Sequence, residues 1–409
     1  MLTITVQTVA KQTPTINTWP TASAITYGQA LSSSTLSGGS ASVPGTFAWI
    51  TSSTTPAVGA PAQAVRFTPT DTVGYNTVDG TVPITVNRAA LTVTASSPSK
   101  TYGSANPALT VAYVGFVLGD TASSLTTQPT ATTTATVSSP AGTYATVPSG
   151  GASDNYNFTY VNGTLTVNKA PLTVTASSPN KTYGSVNPAF SVSYSGFVLG
   201  ETVANLTTQP TATTAATVSS PAGSYATVAS GGVSNNYSFT YVNGTVTVNQ
   251  AALTVTANDA GKTYGAANPA LAVSYSGFVL GETASDLTTQ PTASTAATAS
   301  SVVGTYPITA NGGVSSNYSF TYVPGTLTVN KTMLTVTADD KAKSQGTANP
   351  PLTVSYVGFV LGETASNLAT QPTATTTAIT SSPVGTIPSR QAAASAATMT
   401  SIMSPVRLR

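Results

Sequence analysis

Apolar and polar residues alternate in short runs along most of the chain, and this pattern predicts β-strands. Leu91, Val93 and Ala95 alternate with threonines, so one face of this strand should be buried. The segments 109–113 and 156–160 alternate in the same way. Gly, Pro and Asn separate the runs, as they do between short strands. The pattern therefore predicts an all-β or mostly β fold.

Turn residues predict how these strands are connected. Asn162-Gly163 should form the tight turn of a hairpin between 156–161 and 164–167, and Asp79-Gly80 should play the same part earlier in the chain. The segment 119–125 has the acid and threonine of a helix start. Each module should then contain four to six strands and at most one short helix.

The alternating segments recur with a fixed period, which indicates tandem modules. The string Leu-Thr-Val-Thr-Ala begins at positions that lie 81 residues apart, at Leu91, Leu172, Leu253 and Leu334. Val167-Asn168-Lys169-Ala170-Pro171-Leu172 leaves almost no linker between two copies. At roughly 30 Å per module, five modules in line would form a monomeric rod of about 150 Å.

The composition excludes several classes of function. Charged residues make up 6% of the 409 positions, the formal net charge is +2, and the chain contains neither Cys nor His. A Ser-His-Asp triad, an ordinary zinc site and disulfides are therefore excluded, and the scattered Lys and Arg do not form a nucleic-acid-binding stripe. No apolar run is long enough to span a membrane. We predict no enzyme activity, no catalytic, cofactor-binding or metal-binding residues, no cofactor, no nucleic-acid partner and no membrane insertion.

Several motifs in register resemble a known family. They are Lys100-Thr101-Tyr102-Gly103, Asn106-Pro107, Gly115-Phe116, Gly119-Asp120-Thr121 and Asn155-Tyr156, with copies to about residue 386. This set resembles the bacterial MBG domain of the YGX type. The resemblance implies a β-grasp-like repeat, found in tandem in large extracellular adhesins, without catalytic residues. The fourth copy departs from it, since Ser344-Gln345-Gly346 replaces Thr-Tyr-Gly.

Residues 11–90 have different motifs, which resemble bacterial immunoglobulin-like repeats. These are Trp19-Pro20, Ile25-Thr26-Tyr27-Gly28, Phe67-Thr68-Pro69 and Tyr75-Asn76. We expect an immunoglobulin-like β-sandwich there. Residues 1–6 should be the terminal strand of a preceding module, in a chain that starts inside a longer protein.

The repeat fails abruptly after Thr386. If the alanine codons of 392–394 are read one base earlier they can encode glycine, and Met399 and Met403 become tyrosines aligned with Tyr318 and Tyr322. We hypothesise that 387–409 is an out-of-frame sequence, and a natural alanine-rich tail is the alternative. In either case the fourth module should lack its closing hairpin and expose unpaired strand edges.

These observations divide the chain into seven segments and predict its function. We predict a structural spacer of a secreted or cell-surface bacterial adhesin, with modules that bind a glycan or a host or neighbouring-cell protein weakly through avidity as the alternative. The segments are 1–10, a terminal strand; 11–90, immunoglobulin-like; 91–171, 172–252 and 253–333, MBG-like repeats 1 to 3; 334–386, truncated repeat 4; and 387–409, the aberrant tail.

A few recurring residues are candidates for chemistry. The acids of Gly-Asp/Glu-Thr (Asp120, Glu201, Glu282 and Glu363) are interpreted as helix-start or turn residues, because a glycosidase or calcium site needs more carboxylates. Tyr102, Tyr183 and Tyr264 are interpreted as packing residues, with stacking on sugars as the alternative. Lys100 is interpreted as a surface residue, with an internal cross-link to Asn106 or Asn168 as the alternative. Asn258-Asp259 and Asp339-Asp340 should be solvated turns, with weak calcium binding as the alternative.

Overall fold

The computed structural model describes residues 9–391, 395–404 and 406–408. In these ranges the regular structure consists of short β-strands and five single turns of 3₁₀ helix. The prediction of an all-β fold made of repeated β modules is therefore confirmed. The predicted strand at residues 1–6 lies outside the described residues.

The chain divides into two compact units. The first contains residues up to Val174 together with 193–211 and 230–241. The second contains 175–192, 212–229 and the residues from Val242 onward. The division falls within repeat 2. The first unit contains most of one sheet of that repeat, and the second unit contains most of the other.

The N-terminal module, in the first unit, is built from small sheets. β3 pairs with β9 in parallel, and β6, β7 and β8 form an antiparallel sheet. A 3₁₀ turn at Leu31–Ser33 contributes the buried Leu31. Its described strands are β1 (Ile16–Thr18), β2 (Thr21–Ala22), β3 (Ile25–Thr26), β4 (Leu36–Ser37), β5 (Ser40–Ala41), β6 (Gly45–Trp49), β7 (Gln63–Pro69), β8 (Val78–Val82) and β9 (Val86–Asn87).

The predicted turn at Asp79-Gly80 is wrong, since both residues lie inside β8. Asp79 pairs across the sheet with Arg66, and the two side chains form an ion pair at 2.7 Å. A Cβ at Gly80 would lie 2.2 Å from the ring of Trp19. Glycine is required here because the indole packs directly on the strand.

Repeat 1, also in the first unit, contains seven strands rather than four to six. β11, with only three residues, is too short to be recognised by alternation. The 3₁₀ turn at Ala122–Ser124 is the predicted short helix. The strands are β10 (Ala89–Ala95), β11 (Ser99–Thr101), β12 (Val111–Val114), β13 (Thr130–Thr133), β14 (Gly142–Ser149), β15 (Tyr156–Val161) and β16 (Gly163–Asn168).

These strands form two sheets, with the orders β12-β10-β15 and β11-β16-β14-β13. β10 is parallel to β15, and β11 is parallel to β16. Leu91 and Val93 on β10 are fully buried, as their alternation predicted. Tyr156 pairs in register with Ala89 and lies in the same core.

The predicted hairpin at Asn162-Gly163 is wrong, because β15 and β16 belong to different sheets. The chain passes from one sheet to the other at Asn162. A Cβ at Gly163 would lie 2.4 Å from the carbonyl oxygens of Ala95 and Ser96. The glycine therefore permits a close crossing of two backbones and does not form a turn.

The later repeats have the same strand pattern. In the first unit, repeat 2 contributes the sheet β19-β17-β22 and a 3₁₀ turn at Val203–Asn205. In the second unit, repeat 2 contributes the sheet β18-β23-β21-β20, and repeat 3 contains both sheets and a 3₁₀ turn at Ala284–Asp286. The strands are β17 (Ala170–Ala176), β18 (Asn180–Thr182), β19 (Val192–Ser195), β20 (Thr211–Thr214), β21 (Gly223–Ser230), β22 (Tyr237–Val242), β23 (Gly244–Asn249), β24 (Ala251–Ala257), β25 (Ala260–Thr263), β26 (Val273–Ser276), β27 (Thr292–Thr295), β28 (Gly304–Asn311), β29 (Tyr318–Val323) and β30 (Gly325–Asn330).

Repeat 4 continues past Thr386, so the expectation that it lacks its closing strands is wrong. β35 pairs in parallel with β31, and Met399 occupies the register position that Tyr318 has in repeat 3. A 3₁₀ turn lies at Ala365–Asn367. The described strands are β31 (Thr332–Ala338), β32 (Val354–Val357), β33 (Ala374–Thr376), β34 (Ile387–Gln391), β35 (Met399–Ser404) and β36 (Val406–Leu408). The origin of 387–409 in a shifted reading frame stays a hypothesis.

Candidate functional site at the module junctions

The tyrosine of each Tyr-Gly pair lies at the end of its module. Tyr102 follows β11, and its backbone N–H donates to the carbonyl oxygen of Asn168, the last residue of β16, at 2.8 Å. The equivalent bonds of Tyr27, Tyr183 and Tyr264 measure 2.8, 2.8 and 2.9 Å. Each tyrosine is therefore fixed beside the strand that leads into the next module.

The acid of each Gly-Asp/Glu-Thr motif is placed by a tight turn. In repeat 2 the backbone N–H of Glu201 donates to the carbonyl oxygen of Val198 at 3.0 Å. The two residues between them, Leu199 and Gly200, have φ values of 57° and 73°. Such a conformation is unfavourable for leucine, and all four repeats have it. The 3₁₀ turn that follows is capped by Thr202, so the acid is a turn residue and not the helix cap.

The turn brings the acid between two tyrosines of successive modules. Tyr102 of repeat 1 donates to Oε1 of Glu201 at 2.8 Å, and Tyr237 of repeat 2 donates to Oε2 at 2.5 Å. We call this arrangement the junction clamp. The other complete clamps are Tyr27–Asp120–Tyr156, at 3.0 and 2.8 Å, and Tyr183–Glu282–Tyr318, at 2.6 and 2.5 Å.

Close packing surrounds each clamp. The rings of Tyr102 and Tyr237 meet edge to face, with centroids 5.8 Å apart, an arrangement that stabilises aromatic pairs. A Cβ at Gly103 would lie 2.6 Å from Cγ2 of Val198. The glycine after the tyrosine therefore leaves room for the valine of the next module.

Two further hydrogen bonds cross the same junction. The side-chain oxygen of Asn236 accepts from the backbone N–H of Ala141 at 3.1 Å. The linker residue Lys169 donates through Nζ to the carbonyl oxygen of Ser234 at 2.7 Å. The junction before repeat 1 has two similar bonds: the side-chain oxygen of Asn155 accepts from the backbone N–H of Val58, and Nε of Arg88 donates to the carbonyl oxygen of Asp154.

The surroundings of the junction clamps keep the tyrosine hydroxyls protonated at neutral pH. Burial, and next the hydrogen bond to Glu201, raise the pKa of Tyr237 to about 12. The hydrogen bond to Glu282, and next burial, raise the pKa of Tyr183 to about 12. Burial alone would raise the pKa of Asp120, but hydrogen bonds from Tyr156, Tyr27 and Ser124 outweigh it and lower that pKa. At neutral pH the Asp120 clamp therefore joins one carboxylate to two phenols by charge-assisted hydrogen bonds.

The junction between repeats 3 and 4 has only half a clamp. Tyr264 donates to Oε1 of Glu363 at 2.9 Å. Met399 lies where the second tyrosine lies in the other repeats, and its side chain is buried. Oε2 of Glu363 is buried without a hydrogen-bond partner. The hypothesis that 387–409 is an out-of-frame sequence predicts a tyrosine at position 399.

Three of the four recurring lysines, Lys100, Lys181 and Lys262, are buried, and Lys343 is half-buried. The interpretation of Lys100 as a surface residue is therefore wrong. Lys100 is 7% exposed, and its Nζ donates to the carbonyl oxygens of Ser104 and Thr136 at 3.0 and 2.6 Å. Asn106 donates to the adjacent carbonyl of Ala135 at 2.6 Å. Both side chains hold the loop before β14. Within the described ranges the ion pair of Arg66 and Asp79 is the only one, so the carboxylate that a cross-link requires is not beside Lys100.

The alternative of sugar stacking is wrong for Tyr102, Tyr183 and Tyr264. They are only 4%, 4% and 8% exposed, because the next module covers them. Their interpretation as packing residues was incomplete, since it omitted their bonds to acids. The sequence did not single out the clamp, although Tyr102 and Glu201 are 99 residues apart and the same interval recurs twice. A period of 81 residues makes the interval between any two recurring positions constant, whether or not they are in contact.

The other candidates are loop residues. Asp259 accepts from the backbone N–H of Thr326 at 2.7 Å, and Asp339 accepts from the hydroxyl of Thr353. In the part of the chain that the structure describes, no three acidic side chains converge as a metal site would require. Among the same residues, no helix has the length and apolarity needed to cross a membrane.

Comparison with known families agrees with this repeating geometry. The family model of the MBG domain (YGX type) matches residues 91–166, 172–247, 253–328 and 334–399. The chain belongs to the MBG domain family of the YGX type. Tandem MBG repeats fit a surface or adhesin-type repeat region, and MBG repeat domains are not known as enzymes. No curated protein matches the chain.

Proposed function

We propose that this MBG array is a non-enzymatic spacer in a secreted or cell-surface bacterial adhesin, preceded by an immunoglobulin-like module at 11–90. The observation that carries the proposal is the junction clamp. A spacer must resist bending between its modules, and a half-buried carboxylate with two donors from different modules restricts such bending.

The linkers support the same function. One residue, Lys169, separates β16 from β17, and one residue, Arg88, separates β9 from β10. Both linker side chains are hydrogen-bonded to the following module. A one-residue connection leaves little freedom for one module to turn against the next.

Small-angle X-ray scattering of the whole chain tests the spacer. We expect a maximum dimension of about 150 Å, from roughly 30 Å per module. A variant with Asp120→Ala, Glu201→Ala and Glu282→Ala should show a broader distribution of shorter dimensions. A compact particle, or identical scattering from both proteins, would be incompatible with a spacer stiffened by the clamps.

Weak binding of a glycan or a host-cell protein by every repeat is the second candidate. One observation favours it, because Tyr160, Tyr241 and Tyr322 recur every 81 residues and are 39%, 37% and 36% exposed. A cell-binding assay distinguishes the two functions. Retention of the chain on cells, lost on substitution of these three tyrosines by serine, would support binding by the repeats.

A further inference from the structure

An open cavity beside β15 in repeat 1 is not explained by the spacer function. Its volume is about 410 Å³, which is within the range of sites for small ligands. It is lined by side chains of three chemical kinds: the charged Arg88 and Asp154, the polar Ser153 and Asn157, and the aromatic Phe158.

The two charged residues are placed at the cavity but are not paired with each other. Nε of Arg88 donates to the backbone carbonyl oxygen of Asp154 at 2.9 Å, which fixes the guanidinium. Neither side chain belongs to an ion pair within the described ranges. Both are exposed, so the remaining guanidinium N–H groups and the carboxylate are available to a ligand. The whole chain has only 24 charged residues (13 basic and 11 acidic), so one of each sign at one cavity is uncommon here.

The aromatic wall is rigid. Phe158 stacks on Tyr160 with ring centroids 5.9 Å apart and an angle of 5° between the planes. The Tyr160 hydroxyl accepts from the backbone N–H of Gly151 at 3.0 Å. A Cβ at Gly151 would lie 2.6 Å from Cγ of Pro129. The loop 151–154 is therefore held against the rings, and the cavity does not have to form on binding.

We propose that this cavity binds a neutral saccharide. A sugar hydroxyl both donates and accepts, so it can use the guanidinium and the carboxylate at once. The C–H face of a pyranose can pack on an aromatic ring while its hydroxyls bond to Asp154, Arg88 and Asn157. Arg88 and Asp154 carry opposite charges, so a ligand of either sign is attracted by one and repelled by the other and gains little net attraction.

The charged residues of this cavity occur together only in repeat 1, so this proposal differs from weak binding by every repeat. At the positions of Arg88, Asp154 and Asn157, repeat 2 has Lys169, Asn235 and Ser238. Repeat 3 has an uncharged set at these positions, Gln250, Ser316 and Ser319. Neither repeat has an acid there. The inference also does not depend on the spacer function, since a rigid array can carry a single binding site.

A glycan array probed with the full chain tests the proposal, followed by isothermal titration with the best-retained neutral oligosaccharide. Asp154→Asn and Arg88→Gln should each weaken binding by at least ~10-fold, because each removes a hydrogen bond to a charged group. The matched changes in repeat 2, Lys169→Gln and Asn235→Ala, should leave the affinity unchanged. Thermal unfolding of each variant verifies that the exposed substitutions leave the fold intact.

Three results would overturn the proposal. The first is that the array retains no neutral saccharide. The second is that Asp154→Asn binds as tightly as the unchanged chain, or that the repeat 2 variants lose binding equally. The third is that a free amino acid or a short peptide, which is zwitterionic, binds and displaces the sugar, since the cavity would then be a site for that class.

Discussion

The contribution of a junction clamp can be measured at the N-terminal module. Tyr27→Phe removes one hydroxyl that bonds to Asp120 and leaves the ring contact with Tyr156 in place. A hydrogen bond to a charged group contributes about 1.5–3 kcal/mol. We expect a loss near the lower end, about 2 kcal/mol, because Tyr156 still bonds to the carboxylate.

The two tryptophans make this loss observable. Trp19 and Trp49 both lie in the N-terminal module, so fluorescence follows that module alone. For a module of this size 1 kcal/mol corresponds to about 4–8 °C, so the fluorescence-detected Tm should fall by roughly 10 °C. Tyr75→Phe is the matched control, since no hydrogen bond to the Tyr75 hydroxyl is found among the described residues. An equal shift in both variants, or a shift of about 1 °C in Tyr27→Phe, would refute the reasoning.

Three further predictions concern other polar groups of the repeats. Met399→Tyr should supply the donor that Oε2 of Glu363 is missing and stabilise repeat 4 by about 2 kcal/mol, so amide hydrogen exchange there should slow about 30-fold; Met333→Tyr, on the surface, should not slow it. Lys181→Met removes the donor from the carbonyl oxygens of Ser185 and Thr217 and should cost ~1–3 kcal/mol, because the lysine side chain is only 7% exposed. Lys343→Met should cost less than half of that, because Lys343 is half-buried and its two hydrogen bonds are exposed, so water can replace it. Equal costs in hydrogen exchange would contradict this. The lowered pKa of Asp120 contributes stability that is present above its ordinary pKa of 3.8 and is lost as pH falls through the folded pKa. Asp120→Asn should therefore make the fluorescence-detected Tm less dependent on pH in this acidic range. The same decrease of Tm at acidic pH in the variant and in the unchanged chain would contradict the prediction.

The sequence predicted what depends on local pattern. The alternation at Leu91 and Val93 predicted a strand with one buried face, and both side chains are fully buried. The fixed period predicted the tandem modules. These predictions succeed because a strand that buries one face needs apolar residues at every second position, and this pattern is visible in neighbouring residues of the sequence.

The sequence predictions failed where contacts between residues far apart in the chain determine the structure. Gly163 has the sequence of a hairpin turn, but its function is to let two backbones cross, and the other backbone is about 67 residues away. Lys100 was interpreted as a surface residue, because burial of a lysine depends on carbonyls supplied by remote loops. The clamp joins tyrosines and acids 93 or 99 residues apart, which no local pattern contains.

The clamp also affects how such an array can change in length. Each full repeat carries the tyrosine for its successor and the acid and second tyrosine for its predecessor. Duplication of one 81-residue unit therefore copies both halves of an interface in a single step, and recombination between repeats can lengthen or shorten the protein without a new contact surface. Repeat 4 limits this interchange, because it has the acid Glu363 but carries Gln345 in place of the tyrosine. Repeat 4 can follow any other repeat, but the acid of a repeat placed after it would find no tyrosine at position 345.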